Sequence, residues 1–375
     1  MFYVALRILL YDKTRSLLTL AGVIFAVSLI FAQVGIYQGL MQTSSVIIDH
    51  TPGDIWITSK NSKNFDFSQA IPEYLHYQAL STEGVEWAEK LIIAWGIIKQ
   101  KEGGTEQVEI IGFNPDTGIG GPWRMSAGEP SDVKNGNYMI VDSSAKSRLG
   151  EIHVGDYRDI FSRRLQVVGI SEGVKSFTTA PIIFTSYQQS QELAGFVGPT
   201  NTVFIIVKVA DGYKISQVIK NLQSSLPRVD VYSKADFSRK TRLYWTIETG
   251  VGFSFMMTIV ISFLVGILIV GQTIYNSTME HIKEFGTLKA LGASNREIYG
   301  IIVAQALMTA LLGYLLSLIL TLVSVPMYNA LGTVMVVNAG TNLLVLVLAL
   351  IMCLSSVTLS MRRIKRIDPA ILFRG

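Results

Sequence analysis

Residues Leu17–Leu40 read LLTLAGVIFAVSLIFAQVGIYQGL, twenty-four positions without an Asp, Glu, Lys, Arg or His. At about 1.5 Å of rise per residue, such a helix crosses a hydrocarbon layer of about 30 Å. Three more runs share the property: Val251–Asn276, Tyr299–Val325 with Pro326 closing it, and Asn342–Met361. The composition agrees, at 49% hydrophobic and 16% charged, where a soluble domain carries about 25% charge. The fold class is a membrane protein with four transmembrane α-helices (17–40, 251–276, 299–325 and 342–361). Residues 41–250 form one large α+β domain between the first two spans.

Placement of charge orients the spans. Net charge is +2 over residues 1–40, −2 over 41–250 and +4 over 251–375. Arg7, Lys13 and Arg15 precede the first span, Lys283, Lys289 and Arg296 lie in the 277–298 loop, and Arg362, Arg363, Lys365, Arg366 and Arg374 fill the 362–375 tail. Cytoplasmic loops carry the Lys and Arg excess, so both termini and the 277–298 loop are expected in the cytoplasm. The 41–250 domain and the 326–341 link are then external, on a multi-pass membrane protein. The first run is too long for a signal-peptide core and lacks a small-x-small cleavage pattern, so it is a retained anchor. Ahead of it, residues 1–16 alternate apolar positions with Tyr3, Arg7 and Tyr11, which fits a helix lying in the headgroup plane or a plain extension of the span.

Within 41–250, β-rich runs occur at 54–58, 91–98, 107–113, 138–141, 165–170, 180–184, 202–209 and 229–232. Ile215, Val218, Ile219, Leu222 and Leu226 share one helical face, which gives a β-α-β unit. Gly and Pro between Gly112 and Pro130 set off a second subdomain. Asn61–Asp66 and Gly118–Gly128 read as mobile loops. Tyr244 and Trp245 are expected at the outer interface of the second span, and Tyr299 at the inner end of the third.

Several chemistries are excluded or weakened. Cys353 is the single cysteine, and His50, His76, His153 and His281 have no second ligand at metal spacing. No P-loop and no HExxH occurs. Gly169–Gly173 matches GxSxG, but the following residues read as loop and strand, and the only later histidine, His281, falls across the membrane. Ser131/Lys134 and Ser143/Lys146 match SxxK without its companion motifs. No catalytic or metal site is expected. Gradient coupling needs ionisable groups in the membrane, and the spans have none. Gly35 and Gly39 form a G-x-x-x-G pair, a helix-packing seam within the subunit or across a dimer.

The 277–298 loop carries the most information. Ile282, Phe285, Leu288 and Leu291 recur at spacing three, so a short helix has an apolar ridge flanked by Glu284 and Lys289. Gly292 suits its left-handed stop, and Ser294 with Glu297 makes a capping box for the third span. The run EFGTLKALGA, Glu284–Ala293, resembles the E-x-G-x-x-[KR]-A-[LI]-G-A motif of FtsX/MacB-type ABC transporter permeases. Along essentially all 375 residues the chain resembles the DevC-like group, split permease subunits without a fused ATPase. Weaker points of likeness are ALRILLYDKTRS (5–16), IIGFNP (110–115), Val141-Asp142 with Ser147–Gly150, and RIDPAIL (366–372).

The resemblance implies a permease subunit of an ATP-driven exporter, acting as a homodimer by mechanotransmission. Its periplasmic domain would comprise MacB-like porter and insert subdomains. The chain would bind no cofactor, and ATP and Mg would be held by a separate ABC ATPase. Glu284, Gly286, Lys289, Ala290, Leu291, Gly292 and Ala293 would form the docking surface, with Asp368 and Pro369 as secondary contacts. A basic membrane anchor is the other reading of that tail. A periplasmic membrane-fusion protein and a TolC-like outer-membrane channel are further implied partners, besides the lipid bilayer; no nucleic acid is expected. An FtsX-like non-transporting regulator is the alternative. The apolar spans favour an amphiphilic cargo. Cysteine placed at Ser131 should react with a membrane-impermeant reagent from outside the cell, and cysteine at Ser294 should not; the reverse pattern contradicts the orientation.

Overall fold

The computed structural model describes residues 13–100, 103–176, 180–195, 197–280, 286–288, 291–331 and 333–364. They fall into two compact units, one from the described parts of 1–39, 252–329 and 334–375, the other from 40–251 with 330–333. The interfacial helix expected over 1–16 lies almost wholly outside the described residues.

In the helical unit, the long apolar helices are Lys13–Thr43, Val251–Glu280, Asn295–Ala330 and Ala339–Ile364. The stretches Ser16–Thr43, Val251–Glu280, Arg296–Ala330 and Ala339–Thr358 are each long and apolar enough to cross a membrane. The third helix passes through Pro326 and ends at Ala330. Proline deletes one rung of the backbone ladder, and here the flanking rungs carry the helix on.

Val23, Ala26, Val27, Ile30, Phe31 and Val34 make one buried stripe on the first helix, packed into a core with residues such as Ala306, Ala310, Val345, Ala349 and Met352. Close approach is bought with small residues. A Cβ at Gly22, Gly266 or Gly313 would fall 2.3 Å from Ile269, 2.1 Å from Met352 or 2.4 Å from Val23. The Ser317 hydroxyl donates to the Ile24 carbonyl (3.1 Å) and that of Ser356 to the Ile267 carbonyl (3.0 Å). Small side chains and bridging hydroxyls are how helices associate where water supplies no hydrophobic drive.

The other unit is built on β1 (Ile55–Ser59), β2 (Ile71–Pro72), β3 (Val85–Lys99), β4 (Thr105–Phe113), β5 (Met125–Ala127), β6 (Tyr138–Asp142), β7 (Tyr157–Ile160), β8 (Arg163–Ser171), β9 (Ile182–Ser186), β10 (Asn201–Thr202), β11 (Phe204–Val209) and β12 (Val229–Ser233). The main sheet runs β12-β1-β11-β3-β4-β9-β6-β8-β5, with β7 beside β3 and β8, and β2 pairs with β10. The fifteen-residue β3 pairs with β11 along its first half and with β4 along its second. One strand thus serves both subdomains. On one face of β1 and β11, Ile55, Ile57, Ile205 and Val207 pack with Val218 and Leu222 of helix Ile215–Ser225. On the other, Trp56, Phe204 and Ile206 join Phe65 and Phe237. Strands covered on both sides read as continuous apolar runs.

The segments that lead in from the first helix and out to the second are tied together. β1 and β12 pair from Ile55↔Ser233 to Ser59↔Val229. Arg242 lies 2.5 Å from the Asp49 carboxylate and donates to the Ser45 hydroxyl at 2.8 Å, while Lys234 donates to the Thr51 carbonyl at 2.8 Å. The next turn, Tyr244–Glu248, is π-helical. Trp245 in it is a correction to the sequence reading. It is only 8% exposed, and its indole N–H donates to Asp66 Oδ2 at 3.0 Å. Asn64 Nδ2 donates to the same oxygen (3.2 Å), and the Trp95 indole donates to the Asp66 carbonyl (3.2 Å). The 61–66 segment, expected as a mobile loop, is therefore a buried clasp. Its buried polar side chains bond one another and the Trp245 indole, and its Asp66 carbonyl takes the Trp95 indole. Likewise, Ile119, Trp123 and Met125 of the second expected loop pack on the core, and Trp123 stacks on His50 with ring centroids 4.1 Å apart.

Burial raises the Asp66 carboxyl to about 6; burial, followed by the charge of Asp66, raises that of Glu109 to about 8. A raised acid stabilises the fold below its unfolded value, and that contribution is lost as pH climbs through the folded value. The urea midpoint of the sheet unit, read in the full chain, should fall between about pH 5 and pH 9. Asp66→Asn keeps an acceptor for the Trp245 indole and should make that fall shallower; a midpoint that rises over this range contradicts the assignment.

Candidate functional site

The end of the second helix at Glu280 and the start of the third at Asn295 bracket the site. Between them, residues 286–288 are helical and Leu291–Gly292 turn. Gly292 has φ +99°, the left-handed geometry that a side chain resists. The Leu291 N–H donates to the Thr287 carbonyl and the Ala293 N–H to the Leu288 carbonyl, both at 3.0 Å. The second of these is the six-to-one bond of a Schellman stop. The next helix opens at once. The Ser294 N–H and hydroxyl donate to Glu297 Oε2 at 2.7 and 3.0 Å, and the Glu297 N–H donates back to the Ser294 hydroxyl at 3.3 Å. That reciprocal pair is a capping box. Two satisfied helix ends with Ala293 between them make a turn of defined angle.

The apolar ridge divides here. Leu288 packs against the core of the helical unit, as does Ile298, whereas Leu291 is 81% exposed. Of the ridge positions among the described residues, Leu291 is the one left exposed, and burying a leucine contributes about 1.5–3 kcal/mol. Gly286 and Ala293 are half-buried and Gly292 is exposed. Glu284, Lys289, Ala290, Asp368 and Pro369 lie outside the described residues, as do Ile282 and Phe285.

Gly35 and Gly39 seat an extended link of the helical unit. The Val336 N–H donates to the Gly35 carbonyl (3.0 Å), and a Cβ at Gly39 would stand 1.9 Å from the Val334 carbonyl oxygen. Gln38 Oε1 accepts from the Thr341 hydroxyl (2.7 Å) and Asn338 Nδ2 (3.2 Å). The flanking Gln38 was the missed signal that this seam binds a polar turn. Ser171 of the GxSxG match is buried in β8 and donates to Asp142 at 3.0 Å, a structural brace. Among the described residues no group of His, Cys, Asp and Glu could hold a metal.

Residues 16–225 match the model of the MacB-like periplasmic core domain, and residues 256–369 that of the FtsX-like permease C-terminal. The chain belongs to the MacB/FtsX-type permease family. Proteins of Mycobacterium tuberculosis and Mycobacterium bovis described as uncharacterised ABC transporter permeases are 26% and 27% identical to it, each over 100% of both chains. The crystal structure of the periplasmic region of MacB from Actinobacillus actinomycetemcomitans aligns with 50% of this chain and 92% of its own, at 12% identity and a TM-score of 0.40. The turn at Gly292 falls within the stretch matched to the permease C-terminal model.

Overpacking a tight contact costs about 1–3 kcal/mol. Gly39→Ala in the permease should lower its unfolding midpoint in detergent by more than Gly35→Ala does, because a Cβ at residue 39 would fall 1.9 Å from the Val334 carbonyl oxygen, whereas at residue 35 it stands 3.1 Å from the Met335 side chain and 3.2 Å from the Val336 carbonyl oxygen. Equal midpoints for the two variants contradict the seating described.

Proposed function

We propose that this permease is the membrane subunit of an ATP-driven exporter of the DevC-like kind. A separate ABC ATPase, which holds ATP and Mg, docks on the 284–293 segment. The observation that carries this is Leu291, an apolar side chain 81% exposed beside a Schellman stop and a capping box. An exposed hydrophobe on a hydrogen-bonded turn suits a groove on a partner protein. Lys and Arg flanking the spans support a cytoplasmic turn, cytoplasmic termini and a domain outside the inner membrane.

The first helix leads into β1, and β12 leads out to the second. Because those strands pair along five residues, a push on either helix arrives at one joined element. Trp245, clasped to Asp66, ties the exit turn to the same body. Support for a homodimer, a membrane-fusion protein and a TolC-like channel is the DevC-like sequence resemblance.

Gly286→Trp should wedge the turn from its partner. The expected result is normal membrane insertion with loss of ATPase co-purification and of cargo efflux. Capture of the ATPase at wild-type level contradicts the docking assignment; retained capture and ATPase activity with no efflux substrate in the wild type favours the regulator reading.

A further inference from the structure

A polar cavity of about 140 Å³ in the sheet unit is lined by Ser144, Ser147, Arg148, Lys175 and Ser176, with Leu331 at its apolar side. One buried carboxylate sets both segments that supply these donors. Asp142 at the end of β6 accepts from the Ser144 N–H through Oδ1 (2.9 Å), and from the Ser171 hydroxyl and Val174 N–H through Oδ2 (3.0 Å each). The Ser144 hydroxyl donates to the Val174 carbonyl (3.3 Å) and that of Ser147 to the Ser144 carbonyl (3.2 Å). Arg148 is steadied by Glu106 at 2.6 Å and through its carbonyl by Gln100 at 2.9 Å. These are the Val141-Asp142 and Ser147–Gly150 residues that the sequence singled out and that docking on an ATPase leaves unused.

Glu109 touches two residues of the cavity wall, Ser176 and Pro181. It is buried, its N–H donates to the Pro181 carbonyl (2.9 Å), its side chain hydrogen-bonds Ser176, and its Oε2 meets no protein partner. Burial raises this carboxyl to about 8, so at neutral pH it is mainly protonated and adds little negative charge at that wall. Among the described residues the lining carries two cations, Arg148 beside Glu106 and Lys175, and no carboxylate; the Ser144 and Ser147 hydroxyls donate to carbonyls and Ser176 bonds Glu109. Charge-assisted bonds from guanidinium and ammonium groups are the strong ones, and they suit a multi-oxygen anion. Leu331, 71% exposed, adds apolar surface where an attached chain could start.

We propose that this cavity binds a phosphate-type oxyanion, free or as the head group of an amphiphile, held by the charged groups of Arg148 and Lys175. The site lies wholly within the sheet unit, and the proposal stands whether or not the chain exports anything. The test is calorimetric titration of the full chain in maltoside detergent with inorganic phosphate and, in parallel, dihexanoyl phosphatidic acid. Saturable binding of one equivalent is expected. Lys175→Gln and Arg148→Gln should each weaken it about tenfold, while Lys134→Gln, ion-paired to Asp116 elsewhere on the unit, should leave it unchanged. Equal affinity for the two probes identifies a free-anion site. Tighter binding of phosphatidic acid, reduced to the inorganic level by Leu331→Ser, identifies a head-group site. The proposal is overturned if neither probe saturates, if Lys175→Gln binds as the wild type does with an unchanged urea midpoint, or if Lys134→Gln weakens binding as much as the pocket variants.

Discussion

A backbone amide placed in hydrocarbon has no water to bond, so each apolar run must close its hydrogen bonds within itself as a helix. Every such helix then leaves open donors or acceptors at its ends, which must be met as the chain emerges. Between the second and third helices, the short helical stretch is stopped at the left-handed Gly292, and the third helix is opened by the Ser294–Glu297 box. Beside that turn Leu291 stands 81% exposed.

The sheet unit holds its points of chain entry and exit together. β1 and β12 lie edge to edge, Arg242 reaches back to Asp49 and Ser45, and the Trp245 indole is sunk on Asp66. Each contact joins the segment after the first helix to the segment before the second. A carboxylate carries both the clasp at Asp66 and the brace at Asp142, and both are buried. Removing a partner from such a group strands it in a poorly solvating interior, which costs more than the bond itself gains. The entry and exit segments are therefore held by buried polar contacts as well as by strand pairing.

Features governed by neighbours in sequence were readable from the sequence. The four apolar runs, the stop at Gly292, the capping box and the apolar face of helix Ile215–Ser225 depend on periodicity and local bonding alone. Features that depend on distant partners were not. Asn64 and Asp66 look like loop residues until Trp245 and Trp95 arrive from far along the chain. Spacing put Leu288 and Leu291 on one ridge, but only packing decides that the first turns to the helical core and the second to solvent. Gly35 and Gly39 announced a close approach, yet the approaching backbone is the Val334–Val336 link, which no helical repeat encodes. Pro326 marked a stop that the surrounding ladder overrides.

The central claim is that the exposed turn is the point where an ATPase grips the permease. A photoactivatable amino acid at position 291, introduced into the full chain and irradiated in cells, tests it directly. The account predicts one dominant covalent adduct, with a nucleotide-binding ATPase. Adducts with lipid or with the permease's own chain alone would contradict it.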